Sequence, residues 1–249
     1  MEITIDTTVA DVIRANSSIE KIFKKYEVDI CTHIDSTLNE IMDQNFAPAP
    51  QKERFLKEIM NASNKEENPT KDLENLELDL LIEHIEQQHH KYIEEKIPVI
   101  NQYLERICKV HGENHPELNE IRLLFDTASG ELAMHLKKEE LILFPYIKKM
   151  LSATRSNRSI PKPKFESIKV PIDKMHSEHS DEMEAFEQIQ KLSQHYTVPN
   201  DGCGTYAIAF SMLNEFQEDL LVHIQKENEN LFKRAILLEK KLTASGLLV

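Results

Sequence analysis

The sequence contains few of the residues that sheets and tight turns require. Among 249 residues there are five glycines and no tryptophan. Glu, Lys, Leu and Ile dominate instead, and this profile favours long helices. Hydrophobic residues make up 40% of the chain, which is enough for a core and excludes wholesale disorder. We therefore predict an all-α protein with one sizeable domain and a small one.

Other absences narrow the class of protein. No segment approaches the ~20 apolar residues of a membrane span, and the N-terminus lacks the features of a signal peptide. The three cysteines, Cys31, Cys108 and Cys203, are odd in number and widely separated. We therefore expect no disulfide framework, and we expect the protein to lie in a reducing cytoplasm. The formal net charge of −13 argues against nucleic acid or anionic lipid as the main partner.

The first part of the chain, residues 1–61, is predicted to form a small helical domain. Apolar residues at helical spacing between Val9 and Phe23 predict one helix, and Asp35-Ser36-Thr37 predicts the N-cap of the next. Residues 62–72 are polar and lack apolar periodicity, so we predict a linker there.

Four long helices are predicted in the remaining part, residues 73–249. Two short connections and one longer connection join them, which favours an up-down-up-down four-helix bundle. The predicted helices span about 73–109, 116–151, 165–196 and 205–242.

A short motif occurs twice in the predicted bundle. His135 and Glu139 are followed by Leu-Phe at the same spacing as His223 and Glu227. Residues four apart share one helix face, so each imidazole and carboxylate can reach a common metal. A single pair of this kind is more often a solvated surface, but two copies in matched contexts predict a metal-binding helix present twice. Bundles that hold two irons use such pairs.

Two further histidines lie at the same height in the predicted bundle. Reflecting His135 through the first loop gives His90, and reflecting His223 through the third loop gives His179. All four therefore fall in one layer. His176, three residues before His179, stays open as a second ligand from that helix.

The same reasoning excludes other histidines from this layer. His111 lies ~31 Å beyond His90 along a continuous helix. His84 is expected to face away from the layer, and His89, rotated by ~100° from His90, is expected to face solvent. Glu131 and Glu178 are predicted to support the ligands or to line an ion path.

Two carboxylates and four imidazoles can hold two irons and leave positions free for a small molecule, so iron is favoured over zinc. The sequence does not exclude manganese or zinc as the bound metal. Cys31 is interpreted either as a small buried hydrophobe or, with His33 nearby, as a reactive thiolate or soft metal ligand. Cys108 and Cys203 are interpreted as structural.

The predicted bundle resembles the hemerythrin-like domain of the repair-of-iron-centres family, which includes YtfE, ScdA and DnrN. Residues 8–41 are similar to the small N-terminal domain of the ScdA type. The segments that support the resemblance are His89-His90 before Ile97-Pro98, His135 to Pro145, Ser177-Glu178-His179, and His223 to Glu227 before Leu231-Phe232.

The resemblance implies a non-haem di-iron centre, a bacterial cytoplasm, and a role in restoring iron–sulfur clusters damaged by nitric oxide or peroxide. We expect two iron ions, oxo-bridged when oxidised. The implied ligands are His90, His135, Glu139, His179, His223 and Glu227. One departure matters: the family's small domain usually has Cys-Cys-Gly-Gly where this chain has Cys31-Thr32-His33-Ile34. Chemistry that needs vicinal cysteines is therefore in doubt.

The leading hypothesis is a stress-response protein that supplies iron to damaged iron–sulfur proteins, with Glu139 and Glu227 bridging the irons and Cys31 contacting the client. A first alternative is an enzyme that reduces nitric oxide or peroxide. A second is a module that binds or senses oxygen or nitric oxide. All three use the same six ligands. A closed apolar pocket would favour gas binding, whereas a polar path at Glu131 or Glu178 would favour movement of iron.

Overall fold

The computed structural model describes residues 3–15, 19–28, 30, 33, 36–46, 49–63 and 76–249. Regular structure in these ranges is helical, with only isolated bridges between Thr8 and Thr37 and between Ile160 and Leu248. The all-α prediction is therefore confirmed. Among the described helices, none combines the length and apolarity that crossing a bilayer requires.

The described residues of the N-terminal part form four short helices. They are α1 (Val9–Ala15), α2 (Glu20–Lys25), α3 (Leu38–Asn45) and α4 (Ala49–Ser63). The prediction of one helix between Val9 and Phe23 was wrong, since α1 and α2 are separate.

The predicted cap of α3 is present. Thr37 Oγ1 accepts a hydrogen bond from the Glu40 amide at 3.2 Å, and Glu40 Oε2 accepts one from the Thr37 amide at 2.8 Å. This reciprocal capping box satisfies two amides that the first turn would leave unpaired. The predicted domain boundary at 62–72 stays a prediction, because α4 runs to Ser63 and residues 64–75 lie outside the described ranges.

Four long helices form the bundle that was predicted. The first consists of α5 (Leu78–Ile85), a π-helical turn (Glu86–His90) and α6 (Lys91–His111). The second consists of α7 (Glu117–Lys138), a π-helical turn (Glu139–Leu143) and α8 (Phe144–Ser156). The third is α9 (Lys169–Leu192), and the fourth consists of α10 (Gly204–Lys226), a π-helical turn (Glu227–Leu231) and α11 (Phe232–Ala244).

Each bundle helix packs against its neighbours around a closed ring. The first helix contacts the second and the fourth, and the third also contacts the second and the fourth. The second helix ends later than predicted, at Ser156, where Asn157 adopts the left-handed conformation with φ of 50°. Asparagine tolerates this conformation, which commonly ends a helix.

Two separate apolar cores fill the bundle, and a polar layer lies between them. On the second helix, Leu136 belongs to one core and Leu143 to the other, with Glu139 between them. On the fourth helix, Ile224 and Leu231 flank Glu227 in the same way. The predicted ligands therefore lie in a polar layer between the two apolar cores.

The N-terminal helices pack on one of these cores. Helix α1 contacts α10, and Val9 and Phe23 belong to the same apolar cluster as Phe216 of the fourth helix. Apolar burial of this kind is the main stabilising contribution to such contacts. The small N-terminal part is therefore docked on the bundle, a point that the sequence left open.

A buried carboxylate fixes the loop that leads into the third helix. Glu239 on α11 is 8% exposed. Its carboxylate accepts hydrogen bonds from the Ile168 amide at 2.8 Å, the Ser167 hydroxyl at 2.7 Å and the Tyr146 hydroxyl at 3.4 Å. Since α9 begins directly after Ile168, Glu239 positions the helix that bears His179.

We predict that Glu239→Ala lowers the free energy of unfolding by about 2–3 kcal/mol, because three donors lose a charged acceptor. Urea denaturation followed by circular dichroism measures the change. Glu105→Ala is the matched control, since Glu105 makes only an exposed pair with Lys109 one turn away, and such pairs contribute less than about 1 kcal/mol. Equal losses in the two variants would contradict the anchoring role of Glu239.

Candidate metal centre

Three of the four bundle helices contain a π-helical turn at the polar layer. The turn in the first helix ends at His90, and those in the second and fourth helices begin at Glu139 and Glu227. A π turn adds one residue to a helical turn, and such turns are frequent at functional sites because they re-aim side chains. In contrast, His179 lies within the regular helix α9.

The structure brings all six sequence-predicted residues together in the bundle interior. Their ligand atoms form two groups, and within each group these atoms lie within 4.8 Å of one another. Each of the six residues is at most 2% exposed. We call the group of His90, His223, Glu139 and Glu227 position A, and the group of His135, His179, Glu139 and Glu227 position B.

Glu227 lies between the two positions. Its Oε1 atom is 3.0 Å from His223 Nε2 and 4.0 Å from His90 Nε2, on the side of position A. Its Oε2 atom is 3.2 Å from His179 Nε2, on the side of position B. One carboxylate therefore presents an oxygen to each position, which is the arrangement that a bridging ligand requires.

Glu139 is also shared. Its Oε2 atom lies 3.4 Å from His90 Nε2 and 3.5 Å from His135 Nε2, so a single oxygen faces both positions. The Nε2 atoms of His135 and His179 lie 3.2 Å apart. The imidazoles thus point their Nε2 atoms toward the two carboxylates rather than away from them.

The donor set fits a bound cation. Within the described part of the chain, the carboxylate oxygens of Glu139 and Glu227 are buried without a hydrogen-bond partner, as are the Nε2 atoms of His90 and His223. Leaving such atoms unsatisfied is costly, and native structures seldom do so. Coordination of a cation would satisfy these lone pairs, and a mixture of imidazole and carboxylate suits first-row transition metals.

Three of the four imidazoles are oriented by a second hydrogen bond. His90 Nδ1 donates to Glu140 Oε1 and His135 Nδ1 donates to Glu178 Oε2, each at 3.0 Å. His179 Nδ1 donates to Asn228 Oδ1, also at 3.0 Å. A partner of this kind fixes the ring and leaves Nε2 free for a metal.

The sequence analysis anticipated one of these partners. Glu178 supports a ligand, as one of the two expected alternatives had it, and the ligand that it contacts is His135. Glu140 and Asn228 were missed, although each directly follows one of the shared glutamates, Glu139 and Glu227. Their position in a π turn directs them to the neighbouring helix, and that turn is not visible in the apolar pattern.

The electrostatics of the layer favour positive charge at its centre. Burial opposes protonation of His90, but the carboxylates of Glu139 and Glu227 outweigh burial and raise its pKa to about 10. Burial likewise opposes protonation of His135, and Glu139 raises its pKa to about 9. Burial disfavours the charged form of Glu227, yet His223 and His179 hold its pKa well below the ordinary value. Carboxylates that raise the pKa values of neighbouring imidazoles favour positive charge between them, whether a proton or a metal ion.

A further buried carboxylate was missed by the sequence analysis. Glu182, on α9 three residues after His179, is 4% exposed, and its Oε1 atom lies 3.8 Å from His135 Nδ1. Burial raises its pKa. The signal that would have identified it is its helical spacing from His179, which places it on the inward face of the third helix.

The prediction that His89 faces solvent was wrong. His89 is 4% exposed, and its Nδ1 atom lies 3.0 Å from Asp219 Oδ1. Its Nε2 atom lies 2.8 Å from Lys226 Nζ, and its ring stacks on His223 with centroids 5.5 Å apart. The count of ~100° per residue fails here because residues 86–90 form a π turn rather than an α-helical one.

The remaining histidines and glutamates lie outside the two positions. His176 is exposed and contacts the ring of Phe232, so the structure does not bring it to either group. Glu131 is exposed on α7. His111, at the end of α6, lies 3.1 Å from Cys203 Sγ, and His84 lies 3.1 Å from Lys226 Nζ.

The cysteines make no contribution to the two positions within the described ranges. Cys108 donates to the Leu118 carbonyl at 3.3 Å, in agreement with a structural role. Cys31, for which a chemical role was left open, lies outside the described residues.

Comparison with known proteins agrees with this architecture. The family described as the Hemerythrin HHE cation binding domain matches residues 80–235, which span both positions. A protein of Haemophilus influenzae named a probable iron-sulfur cluster repair protein is 30% identical over 216 residues, covering 87% of this chain and 90% of its own.

Two other relatives cover nearly the whole chain. The iron-sulfur cluster repair protein ScdA of Staphylococcus epidermidis is 24% identical over 93% of this chain and 99% of its own length. The iron-sulfur cluster repair protein YtfE of an Enterobacter species is 26% identical over 93% of this chain and 97% of its own. The chain therefore belongs to the hemerythrin HHE cation-binding family and, within it, to the iron–sulfur cluster repair proteins related to ScdA and YtfE.

Proposed function

We propose that this protein repairs damaged iron–sulfur clusters by supplying iron from a non-haem di-iron store in the bundle. The observation that supports this proposal is the pair of buried cation positions that share two carboxylates, Glu139 and Glu227. The relatives that match over most of the chain are named for cluster repair. Damaged iron–sulfur proteins are the corresponding clients.

In this proposal the four imidazoles are terminal ligands and the two shared glutamates are bridges. Bound iron supplies a cation that can be transferred to a client. Carboxylate ligands are hard, and each can change from bridging to terminal binding, so Glu139 and Glu227 can hold one iron while the other leaves. The histidines keep their orientation through Glu140, Glu178 and Asn228 during this change.

Two partly exposed carboxylates connect the buried layer to the surface. Glu140 contacts His90 on one side and Lys137 on the other, at 3.0 and 2.7 Å. Glu178 contacts His135 and Lys138 in the same way, at 3.0 and 2.6 Å. The carboxylates beside the layer can bind a cation and so favour iron over reversible binding of an apolar gas, which a closed apolar pocket would suit better.

The first prediction concerns metal content. The protein should hold close to two irons per chain, and Glu139→Ala or Glu227→Ala should each lose at least one, because each carboxylate serves both positions. Iron is measured per chain after anaerobic reconstitution. Glu131→Ala is the matched control, since Glu131 is exposed and belongs to neither group. Unchanged iron in both glutamate variants would exclude the bridging role.

A second prediction concerns the metal-free protein at different pH. The pKa values of His90 and His135 rise from 6.5 to about 10 and about 9 in the fold. Their stabilising contribution is therefore complete below about pH 6.5 and is lost as pH rises through 9 to 10. We expect the free energy of unfolding to fall by several kcal/mol between pH 6.5 and 10.

Urea denaturation of the metal-free protein measures this fall, and His90→Ala should reduce it. His111→Ala is the control and should keep it, because His111 lies at the far end of α6. Iron affinity should change in the opposite direction, since metal competes with protons for the imidazoles. A flat stability profile would show that the imidazoles are neutral without metal.

The function itself is tested with a client. Iron-loaded protein is incubated with a cluster-depleted hydratase, and recovered activity and lost iron are measured together. Recovery in step with iron loss supports iron donation. Recovery without iron loss supports a redox enzyme instead. If neither recovery of activity nor loss of iron is observed, the alternative of a binding or sensing module remains.

The same assay tests Cys31, the one thiol in the first hundred residues. Cys31→Ser should keep two irons in the bundle and lower the rate of hydratase recovery, because a thiolate is the soft group suited to contact a damaged cluster. Cys108→Ser is the matched control, as its thiol donates to a backbone carbonyl. Equal recovery rates in the two variants would remove Cys31 from the chemistry.

A further inference from the structure

The two cation positions differ in how their histidines are supported. Both histidines of position B have a hydrogen-bonded partner at Nδ1, namely Glu178 for His135 and Asn228 for His179. In position A only His90 has one, Glu140. Within the described part of the chain, Nδ1 of His223 is buried without a hydrogen-bond partner.

A carboxylate one turn before His223 is not hydrogen-bonded to its ring. Asp219 lies one turn before His223 on α10, and its Oδ1 atom accepts a hydrogen bond from His89 Nδ1 at 3.0 Å. His89 Nε2 accepts from Lys226 Nζ at 2.8 Å, which leaves the Nδ1 proton of His89 for Asp219. The second oxygen of Asp219 is buried without a partner among the described residues.

Charge near the two positions is also unequal. Beside position B lies the additional carboxylate of Glu182, 3.8 Å from His135 Nδ1. Beside position A lies the ring of His89, which stacks on His223 and contacts the amine of Lys226. A hydrogen-bonded partner at Nδ1 orients an imidazole and strengthens it as a ligand, and loss of such a partner typically lowers metal affinity by about 10–100-fold.

We infer that position A, formed by His90 and His223, is the weaker of the two and gives up its iron first. This inference rests on the proposed di-iron store and assigns the transferable iron to one position. Position B then retains its iron with both bridging glutamates, so the bundle keeps a metal at its centre after one donation. His89 is the neighbour of position A in this scheme, because its ring stacks on His223 and its Nε2 atom faces the amine of Lys226.

The test is an equilibrium competition between the iron-loaded full-length protein and a ferrous chelator, with iron per chain measured at each chelator concentration. The wild-type protein should lose its irons in two steps separated by about 10-fold or more in chelator. Two variants assign the steps. Glu178→Ala should move only the second step, to a lower chelator concentration. Glu178→Gln should return this step to its wild-type position, because the amide oxygen still accepts a hydrogen bond from His135.

His89→Phe should move only the first step, because the ring of His89 stacks on His223 of position A. The phenyl ring keeps the stack on His223 but releases Asp219 and Lys226. His84→Phe is the matched control, because His84 contacts Lys226 but is not hydrogen-bonded to Asp219, and it should leave both steps in place. Circular dichroism checks that each variant is folded.

Loss of both irons in one step, or movement of the first step by Glu178→Ala, would overturn the inference. Failure of the proposed function is seen separately. If the wild-type protein never takes up two irons, the proposed di-iron store is excluded before any chelator is added. A protein that loses iron in the expected two steps but does not restore the hydratase leaves the asymmetry intact and removes the role in repair.

Discussion

Burial of two carboxylates among four imidazoles is the constraint on which the bundle depends. Glu139 and Glu227 are fully buried, and a buried charge is tolerated only when it is paired or binds a metal. The histidines can face these carboxylates only because the four helices hold them at one height. The layer therefore both requires the bundle and sets the register of its helices.

The polar layer also divides the hydrophobic core. Apolar side chains such as Leu136 and Ile224 pack on one side of it, and Leu143 and Leu231 pack on the other. Each core excludes water from one face of the layer, which strengthens the electrostatic interactions within it. The N-terminal helices extend one of these cores, so the small part of the chain adds to the burial on that side.

The supporting residues give the layer its asymmetry. Glu140, Glu178 and Asn228 each orient one imidazole, whereas Asp219 contacts His89 instead of a predicted ligand. Two positions with the same ligand types can thus differ in affinity. In the proposed di-iron store, such a difference would separate the metal that leaves from the metal that stays.

The sequence by itself determined the all-α class, the four long helices and the six residues of the layer. These follow from local rules, since residues four apart share a helix face and residues equidistant from a turn share a height. The sequence did not determine the burial of His89, the partners Glu140 and Asn228, or the separation of α1 from α2. The burial of His89 and the contacts of Glu140 and Asn228 depend on π turns, which shift the helical phase by one residue without changing the apolar pattern. Only the tertiary structure decided them, because a π turn persists where packing and ligand contacts outweigh its poorer hydrogen bonding.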